Sequence, residues 1–382
     1  MTQEYCLLGR TGLRVSRLAL GTMTFGEQWG FGCDEATART LFDRYLEAGG
    51  NFIDTADAYT GGTSERWLGR CIADAGVRDH VVLATKYSFT DRLGNPNAGG
   101  NHRKNLLRAL DASLERLGTD YIDLYIMHLW DRLTPIEEVL RTLDDQVRAG
   151  RLRHYALSDV PAWYAARAQT LAEARGWEPV AALQLEYSLA ERNIEREHIP
   201  AGLALGMGVM AWSPLCSGLL SGKYRADGQG AHGGQGRLSA AGRGGLEARL
   251  TPRNLAILAE LERVSRALER PMAEVALNWV ANRPGVASVI VGATRAEQLD
   301  SNLRALDFDL PPEHHDALDA ASAPRPQFPE PLFSDPFQRL VHGNTDVADR
   351  PPGYDDGTWI TSGDEVALPF IAEQASRDEG NR

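Results

Sequence analysis

The 382-residue sequence contains only four cysteines, Cys6, Cys33, Cys71 and Cys216, and none belongs to a Cys-x-x-Cys pair. That spacing offers neither a zinc site nor a redox dithiol, so no metal is expected. Each thiol reads as a small buried side chain in a reducing compartment. Positive charge is scarce as well: 40 Lys and Arg face 52 Asp and Glu, a formal net charge of −12. Nucleic-acid and membrane-surface binders depend on clustered positive charge, and neither kind of partner is expected. No long uncharged apolar run occurs. The first ten residues, MTQEYCLLGR, are charged where a secretory signal needs an apolar stretch, so the cytoplasm is the expected location.

What is present looks globular: 43% of the residues are hydrophobic and 24% charged. Eight strand-like runs cover residues 18–25, 51–56, 81–87, 121–128, 154–158, 181–187, 208–214 and 288–292. Between them lie segments with apolar residues at helical spacing, including 34–48, 64–75, 102–117 and 135–149, with others near 295–305 and 312–320. Asp34 is expected to cap the first of these. Thr134 is expected to cap the fourth, with Pro135 in its first turn and Glu137 and Glu138 near its positive end. Gly49, Gly50, Gly118 and Gly150 sit where helices should stop. Near-continuous apolar strands such as YIDLYIM (residues 121–127) suit a parallel sheet covered on both faces. Eight such units form a closed barrel or an open doubly wound sheet. The open dinucleotide-binding sheet carries G-x-G-x-x-G after its first strand, and GTMTFG (residues 21–26) lacks that pattern. A closed (β/α)8 barrel is therefore expected, spanning residues 1–323.

Two stretches depart from the alternation. Residues 226–246 (ADGQGAHGGQGRLSAAGRGGL) are dominated by glycine and small side chains and are expected to be mobile, as a lid or an inert insertion. Residues 324–382 form a Pro- and Asp-rich extension that still holds Phe328, Phe333, Phe337, Trp359 and Phe370. So many large apolar groups are expected to pack on the barrel, over its mouth, or on a neighbouring subunit of a homo-oligomer.

Active sites in such barrels gather at the C-terminal ends of the strands. Polar residues expected there are Asp54 and Tyr59 after the second strand, Lys86 at the end of the third, and His128 at the end of the fourth. Four ionisable groups at successive strand ends would converge on one mouth. The surrounding stretches are GRTGLRVSRLALGTMTFG (9–26), NFIDTADAY (51–59), ATK (84–86), DYIDLYIMH (120–128), QLEYSL (184–189), WSPL (212–215), GLLSGKY (218–224) and GATRAEQ (292–298). In order and content they resemble the aldo-keto reductases over roughly residues 5–322. PAW (161–163) and YSLAER (187–192) resemble the branch of aryl-alcohol dehydrogenases and natural-product ketoreductases.

The resemblance implies hydride transfer from NADPH to a ketone or aldehyde, with Tyr59 donating the proton to the carbonyl oxygen. A phenol of pKa about 10 is a poor acid at neutral pH, and a neighbouring ammonium favours its ionised form. Lys86 would supply that ammonium, Asp54 would pair with Lys86, and His128 would donate a hydrogen bond to the substrate oxygen. The same resemblance places Gly21, Thr22, Met23 and Asp54 beside the cofactor, with Ser158, Asp159 and Gln184 at the nicotinamide carboxamide. Many family members have Asn where Asp159 stands, and an ionised Asp only accepts hydrogen bonds. Trp212 would stack on the nicotinamide, followed by Ser213, Pro214, Leu215, Gly218 and Lys223. Gly292, Ala293 and Thr294 would open the last helix toward a phosphate, with Arg295 on the 2′-phosphate and Gln298 and Asn302 at the adenosine. Phe25, Trp29, Tyr59 and Trp130 are the expected substrate-pocket residues, suited to a bulky aromatic carbonyl. A regulatory subunit that senses NADPH with little turnover is the alternative expectation.

Overall fold

A computed structural model describes residues 4–227, 230–233, 238, 247–343 and 345. The described chain opens with an antiparallel hairpin of β1 (Tyr5–Leu7) and β2 (Arg14–Ser16). These three-residue strands are too short for alternation to register in the sequence. Seven barrel strands follow: β3 (Leu18–Gly21), β4 (Phe52–Asp54), β5 (Val82–Tyr87), β6 (Ile122–Met127), β7 (Leu152–Ser158), β8 (Val180–Glu186) and β9 (Gly208–Trp212). The glycine-rich segment contributes an antiparallel pair, β10 (Tyr224–Asp227) and β11 (Gly230–Gly233). Backbone pairing needs no side chains, so composition alone did not announce this hairpin; residues 234–237 and 239–246 lie outside the described residues. β12 (Val286–Val291) pairs in parallel with both β9 and β3 and closes an eight-stranded parallel barrel.

The helices that wrap the barrel are α1 (Glu35–Glu47), α2 (Thr63–Ala75), α3 (Arg103–Leu117), α4 (Ile136–Arg148), α5 (Ala162–Arg175) and α6 (His198–Leu205). After them come α7 (Pro252–Ala267), α8 (Met272–Ala281), α9 (Ala296–Leu303), α10 (Pro312–Ser322) and α11 (Asp335–Val341). The alternation of strand and helix is that of a (β/α)8 barrel. Asp34 caps α1, its Oδ1 accepting from Thr37 N at 2.8 Å. At α4 the expectation fails by one residue: Pro135 is the cap. Thr134 is diverted because its N–H and hydroxyl both donate to Asp131, at 3.0 and 2.6 Å. Gly118, at φ +64°, ends α3 in the left-handed region that glycine tolerates best.

Side-chain parity sorts the core into two layers. Phe52, Val82, Ala84, Leu124, Ile126, Ala156, Ala182 and Met210 form one buried cluster, with Trp212 packed against it. Their strand neighbours Ile53, Leu83, Tyr87, Tyr125, Met127, Leu157, Leu183 and Val209 pack with the helices in the other. Because a strand alternates with period two, Asp54, Lys86, Ser158, Gln184 and Trp212 share the inward parity of the first layer. Each sits at or within two residues of the C-terminal end of its strand.

α10 is tied to the barrel by charge. Asp319 accepts from Arg283 at 2.9 Å and from Trp279 Nε1 at 3.1 Å, and lies 3.1 Å from Arg192. Beyond it, Glu330 pairs with Arg196, which also donates to Arg325 O at 2.6 Å. Phe328 in this stretch is 86% exposed. Trp359 and Phe370 lie outside the described residues. Among the described residues no helix is long and apolar enough to cross a membrane, and no group of three or more His, Cys, Asp or Glu could hold a metal ion.

Candidate active site

β3 to β6 bring the first site residues together. β4 pairs with β3 through Gly21 and Asp54, and with β5 through Asp54 and Ala84. This register sets Asp54 beside Lys86, two residues further along β5 on the same face. Lys86 Nζ donates to Asp54 Oδ2 at 2.6 Å, to Thr55 O at 2.8 Å and to Tyr59 Oη at 3.0 Å. All three ammonium protons are thereby used, which a buried cation requires. Burial alone would pull Lys86 down, but Asp54 and Tyr59 outweigh it and hold the ammonium above its usual value. Tyr59 opens a short 3-10 turn, Tyr59–Gly62, just past β4.

His128 follows β6, and its ring meets the Tyr59 ring edge to face at 5.9 Å. Burial, and then the nearby Lys86 charge, push its pKa down to about 2. The imidazole is therefore neutral, and its buried Nδ1 has no partner among the described residues. An orphaned N–H is costlier than an orphaned lone pair, so the proton belongs on Nε2, which makes Nε2 a donor.

The other side of the mouth is built by β7, β8 and β9. Gln184 Nε2 donates to Asp54 Oδ1 at 2.8 Å, which fixes the amide and leaves Oε1 as an acceptor. Asp159 follows β7 at φ +48°. Its Oδ1 accepts from Trp212 Nε1 at 3.1 Å and its Oδ2 lies 3.3 Å from Ser158 Oγ. Burial pushes Asp159 up to about 6, against the pull of those two hydrogen bonds. Past β9, Ser213, Cys216 and Ser217 also take positive φ, of 55°, 48° and 56°, followed by Gly218 at 90°. These left-handed non-glycine residues lie on the loops after β7 and β9, on either side of β8, and such conformations persist only where the surroundings impose them.

Comparison with known proteins agrees with this geometry. The Aldo/keto reductase family model matches residues 17–323. The chain belongs to the aldo/keto reductase family. It is an oxidoreductase acting on carbonyl or alcohol groups, in a family that uses NAD(P)H. An uncharacterized oxidoreductase of Bacillus subtilis, YrpG, is 38% identical over 320 residues, 81% of this chain and 93% of that protein. Norsolorinic acid reductase of Aspergillus flavus is 35% identical over 345 residues, 87% of this chain and 84% of its own. Aryl-alcohol dehydrogenase [NADP(+)] of Phanerodontia chrysosporium is 34% identical over 345 residues, 85% and 87% of the two chains.

The remaining expected site residues fall into distinct places. Gly21 and Thr22 are buried and Met23 half-buried. Thr22 has no accessible surface, and its hydroxyl is taken by Asp54 O and Ser64 Oγ, at 3.1 and 2.8 Å. It thus braces the strand end that carries Asp54. Pro214 is buried, Leu215 half-buried and Lys223 exposed, with Lys223 Nζ 5.3 Å from the Tyr224 ring. Helix α9 starts one residue later than expected, with Arg295 as its exposed cap. Gln298 Oε1 accepts from Thr294 N at 2.9 Å, and Asn302 Nδ2 donates to Gly292 O at 3.4 Å. Those bonds pin the Gly292–Ala293–Thr294 turn. Phe25 is wholly buried and offers no surface to a substrate, whereas Trp29 is 41% exposed and stands edge-on to Tyr59 at 6.2 Å. Trp130 packs edge-on against Trp163 at 5.6 Å. Phe89, just past β5 and not among the expected pocket residues, meets His128 edge to face at 4.8 Å.

The donor set fits a nicotinamide. Gln184 Oε1 is an acceptor suited to an N–H of a primary carboxamide, and the Asp159 carboxyl beside it on the adjacent strand end could donate to the carboxamide oxygen while protonated. Trp212, its indole N–H fixed by Asp159, would offer a flat face beside them.

Proposed function

We propose that this protein reduces a ketone or aldehyde to an alcohol with NADPH, Tyr59 giving the proton. The observation that carries the reading is the Lys86 ammonium, bonded at once to Asp54 and to the Tyr59 hydroxyl in a buried site. When bound, the nicotinamide would supply the hydride that adds to the carbonyl carbon. Tyr59 breaks its O–H bond and protonates the carbonyl oxygen, and Lys86 steadies the phenolate left behind. Asp54 keeps Lys86 in place and, through Oδ1, orients Gln184. His128, neutral and protonated on Nε2, donates to the substrate oxygen and fixes its direction. Ser158, Asp159 and Gln184 hold the carboxamide, and Trp212 covers the ring. Arg295, exposed where α9 begins, favours the 2′-phosphate of NADPH.

The substrate is a bulky aromatic carbonyl of the polyketide kind. Supporting this are the half-open aromatic walls, Trp29 and Phe89 at 41% and 45% exposure, and relatives named for norsolorinic acid and aryl alcohols. Nicotinamide absorbance tests the reading, comparing NADPH with NADH over aromatic, aliphatic and sugar carbonyls. NADPH oxidation that needs an aryl carbonyl and falls at least about 100-fold in Tyr59→Phe is the expected result. Tight NADPH binding without turnover on any carbonyl would favour a sensing subunit instead.

The segment from residue 324 onward is read as a separate extension that assembles copies of the chain, given the exposed Phe328 and Val341. Cutting after Ser322 should then lower the solution mass, and an unchanged oligomer would refute it. A cytoplasmic setting suits the four free thiols.

A further inference from the structure

Two side chains outside the Asp54–Tyr59–Lys86–His128 cluster grip the segment that carries His128. Ser88 Oγ accepts from Leu129 N at 3.5 Å and from His128 N at 3.1 Å, the latter N–H shared with Tyr87 O at 2.9 Å. The same hydroxyl donates to Asn101 Oδ1 at 2.6 Å. Asn101 Nδ2 then donates to Leu129 O at 2.8 Å, and Asn101 N donates to Asp131 Oδ2 at 2.7 Å. Ser88 and Asn101 are 8% and 1% exposed, so water competes little for these bonds. Ser88 also holds φ at +141°, a conformation that costs a non-glycine residue about 1–3 kcal/mol unless its surroundings impose it.

A working imidazole is ordinarily oriented by a hydrogen bond to its second nitrogen. Among the described residues His128 has no such device, because none of them bonds its buried Nδ1. The ring is left with edge contacts to Tyr59 and Phe89 and with the backbone from which it hangs. We propose that Ser88 and Asn101 are positioning residues for His128: by clamping the backbone of residues 128 and 129 they aim Nε2 at the oxygen that Tyr59 protonates. The second residue of the pair matters as much as the first. Without Asn101, the Ser88 hydroxyl is free to rotate away and Leu129 O loses its donor. The inference rests on His128 acting as the substrate's hydrogen-bond donor, as read above.

The test compares Asn101→Ala and Ser88→Ala with the wild type in NADPH-dependent reduction of an aryl aldehyde. Each should lower kcat about 10- to 100-fold, as small misplacements of a catalytic group do, with NADPH affinity within about twofold of wild type. In a His128→Ala background neither should cost anything further, because the group they aim is gone. An equal fold-loss in that background, or an unchanged kcat, would overturn the proposal. A wild-type-like urea transition in each variant guards against misfolding, and Asn101→Asp, which sets a carboxylate oxygen against Leu129 O, should lower kcat at least as much as Asn101→Ala. A second readout does not need turnover. In protein labelled with 15N-histidine, the His128 resonance, identified by its loss in His128→Ala, should report the Nε2–H tautomer and become mixed in Asn101→Ala. An unaltered pattern would overturn the proposal even if no carbonyl is ever found to be reduced.

Discussion

Lys86 and Asp54 form an ion pair of 2.6 Å in which the two side chains are 0% and 3% exposed. Neither charge has water to fall back on, so the pair is far more costly to break than to replace. Lys86→Met should lower unfolding stability by about 3–5 kcal/mol, because it strands a buried carboxylate. Lys86→Met combined with Asp54→Leu should recover most of that loss while remaining inactive. Urea unfolding of the two variants decides the matter. A double variant no more stable than the single would show that the pair is not what Lys86→Met disrupts.

His128 gives the structure a pH dependence with a definite sign. Its imidazole, pushed down to about 2 by burial and by Lys86, returns to its ordinary value of 6.5 when the chain unfolds. Between those values the unfolded chain binds a proton that the folded chain refuses. Stability therefore drops as pH falls below 6.5. His128→Asn should flatten this acid limb, measured as urea midpoints at several pH values. Parallel curves for variant and wild type would contradict the assignment of a neutral buried ring.

Much of this was readable beforehand, for reasons visible in particular residues. Runs such as Ile122–Met127 are apolar on both faces because the barrel interior and the helices each bury one, so all eight barrel strands stood out. Asp54, Lys86 and His128 are polar groups ending such runs, which is why they were noticed. What escaped depends on competition for a side chain, on partners distant in the chain or on very short elements. Asp131, three residues back, takes Thr134 away from the α4 terminus by accepting from both its N–H and its hydroxyl, a competition that cap propensity alone does not reveal. Asn101 and Ser88 are thirteen residues apart and form a unit only because β5 and β6 lie side by side. Phe25, expected at the pocket, is sealed by the turn in which Phe25 N donates to Thr22 O at 2.9 Å.

Asp159 makes cofactor affinity depend on pH. Its carboxyl, pushed up to about 6 chiefly by burial, can donate to a carboxamide oxygen only while protonated. NADPH affinity should accordingly weaken as pH rises through about 6. Asp159→Asn keeps an acceptor for the Trp212 indole and supplies a permanent donor. At pH 8 it should tighten binding about threefold to tenfold, the worth of one hydrogen bond, and flatten the pH dependence. Weaker NADPH binding by the variant in a fluorescence titration would show that the carboxylate itself is what the site uses.

α10 and the segment beyond it should differ in what their charges contribute to stability. Trp279 is fully buried with the Arg192 and Arg283 guanidiniums 5.0 and 4.7 Å from its ring centroid. Two cations on one aromatic need an anion nearby, and Asp319 on α10 serves both while accepting the indole N–H. Glu195 supplies the other negative charge, 2.8 Å from Arg192 and 3.6 Å from Arg283. The side chains of Arg192 and Arg283 are 6% and 9% exposed. Asp319→Ala should thus leave two buried guanidiniums short of charge and cost about 3–5 kcal/mol. Glu330→Ala removes one partner of Arg196, whose guanidinium still donates to Arg325 O, and should cost less, about 1–3 kcal/mol. Denaturant midpoints for the two variants measure the difference. If Glu330→Ala proved as damaging as Asp319→Ala, the segment beyond Ser322 would have to be counted as part of the barrel's own structure rather than as an attachment to it.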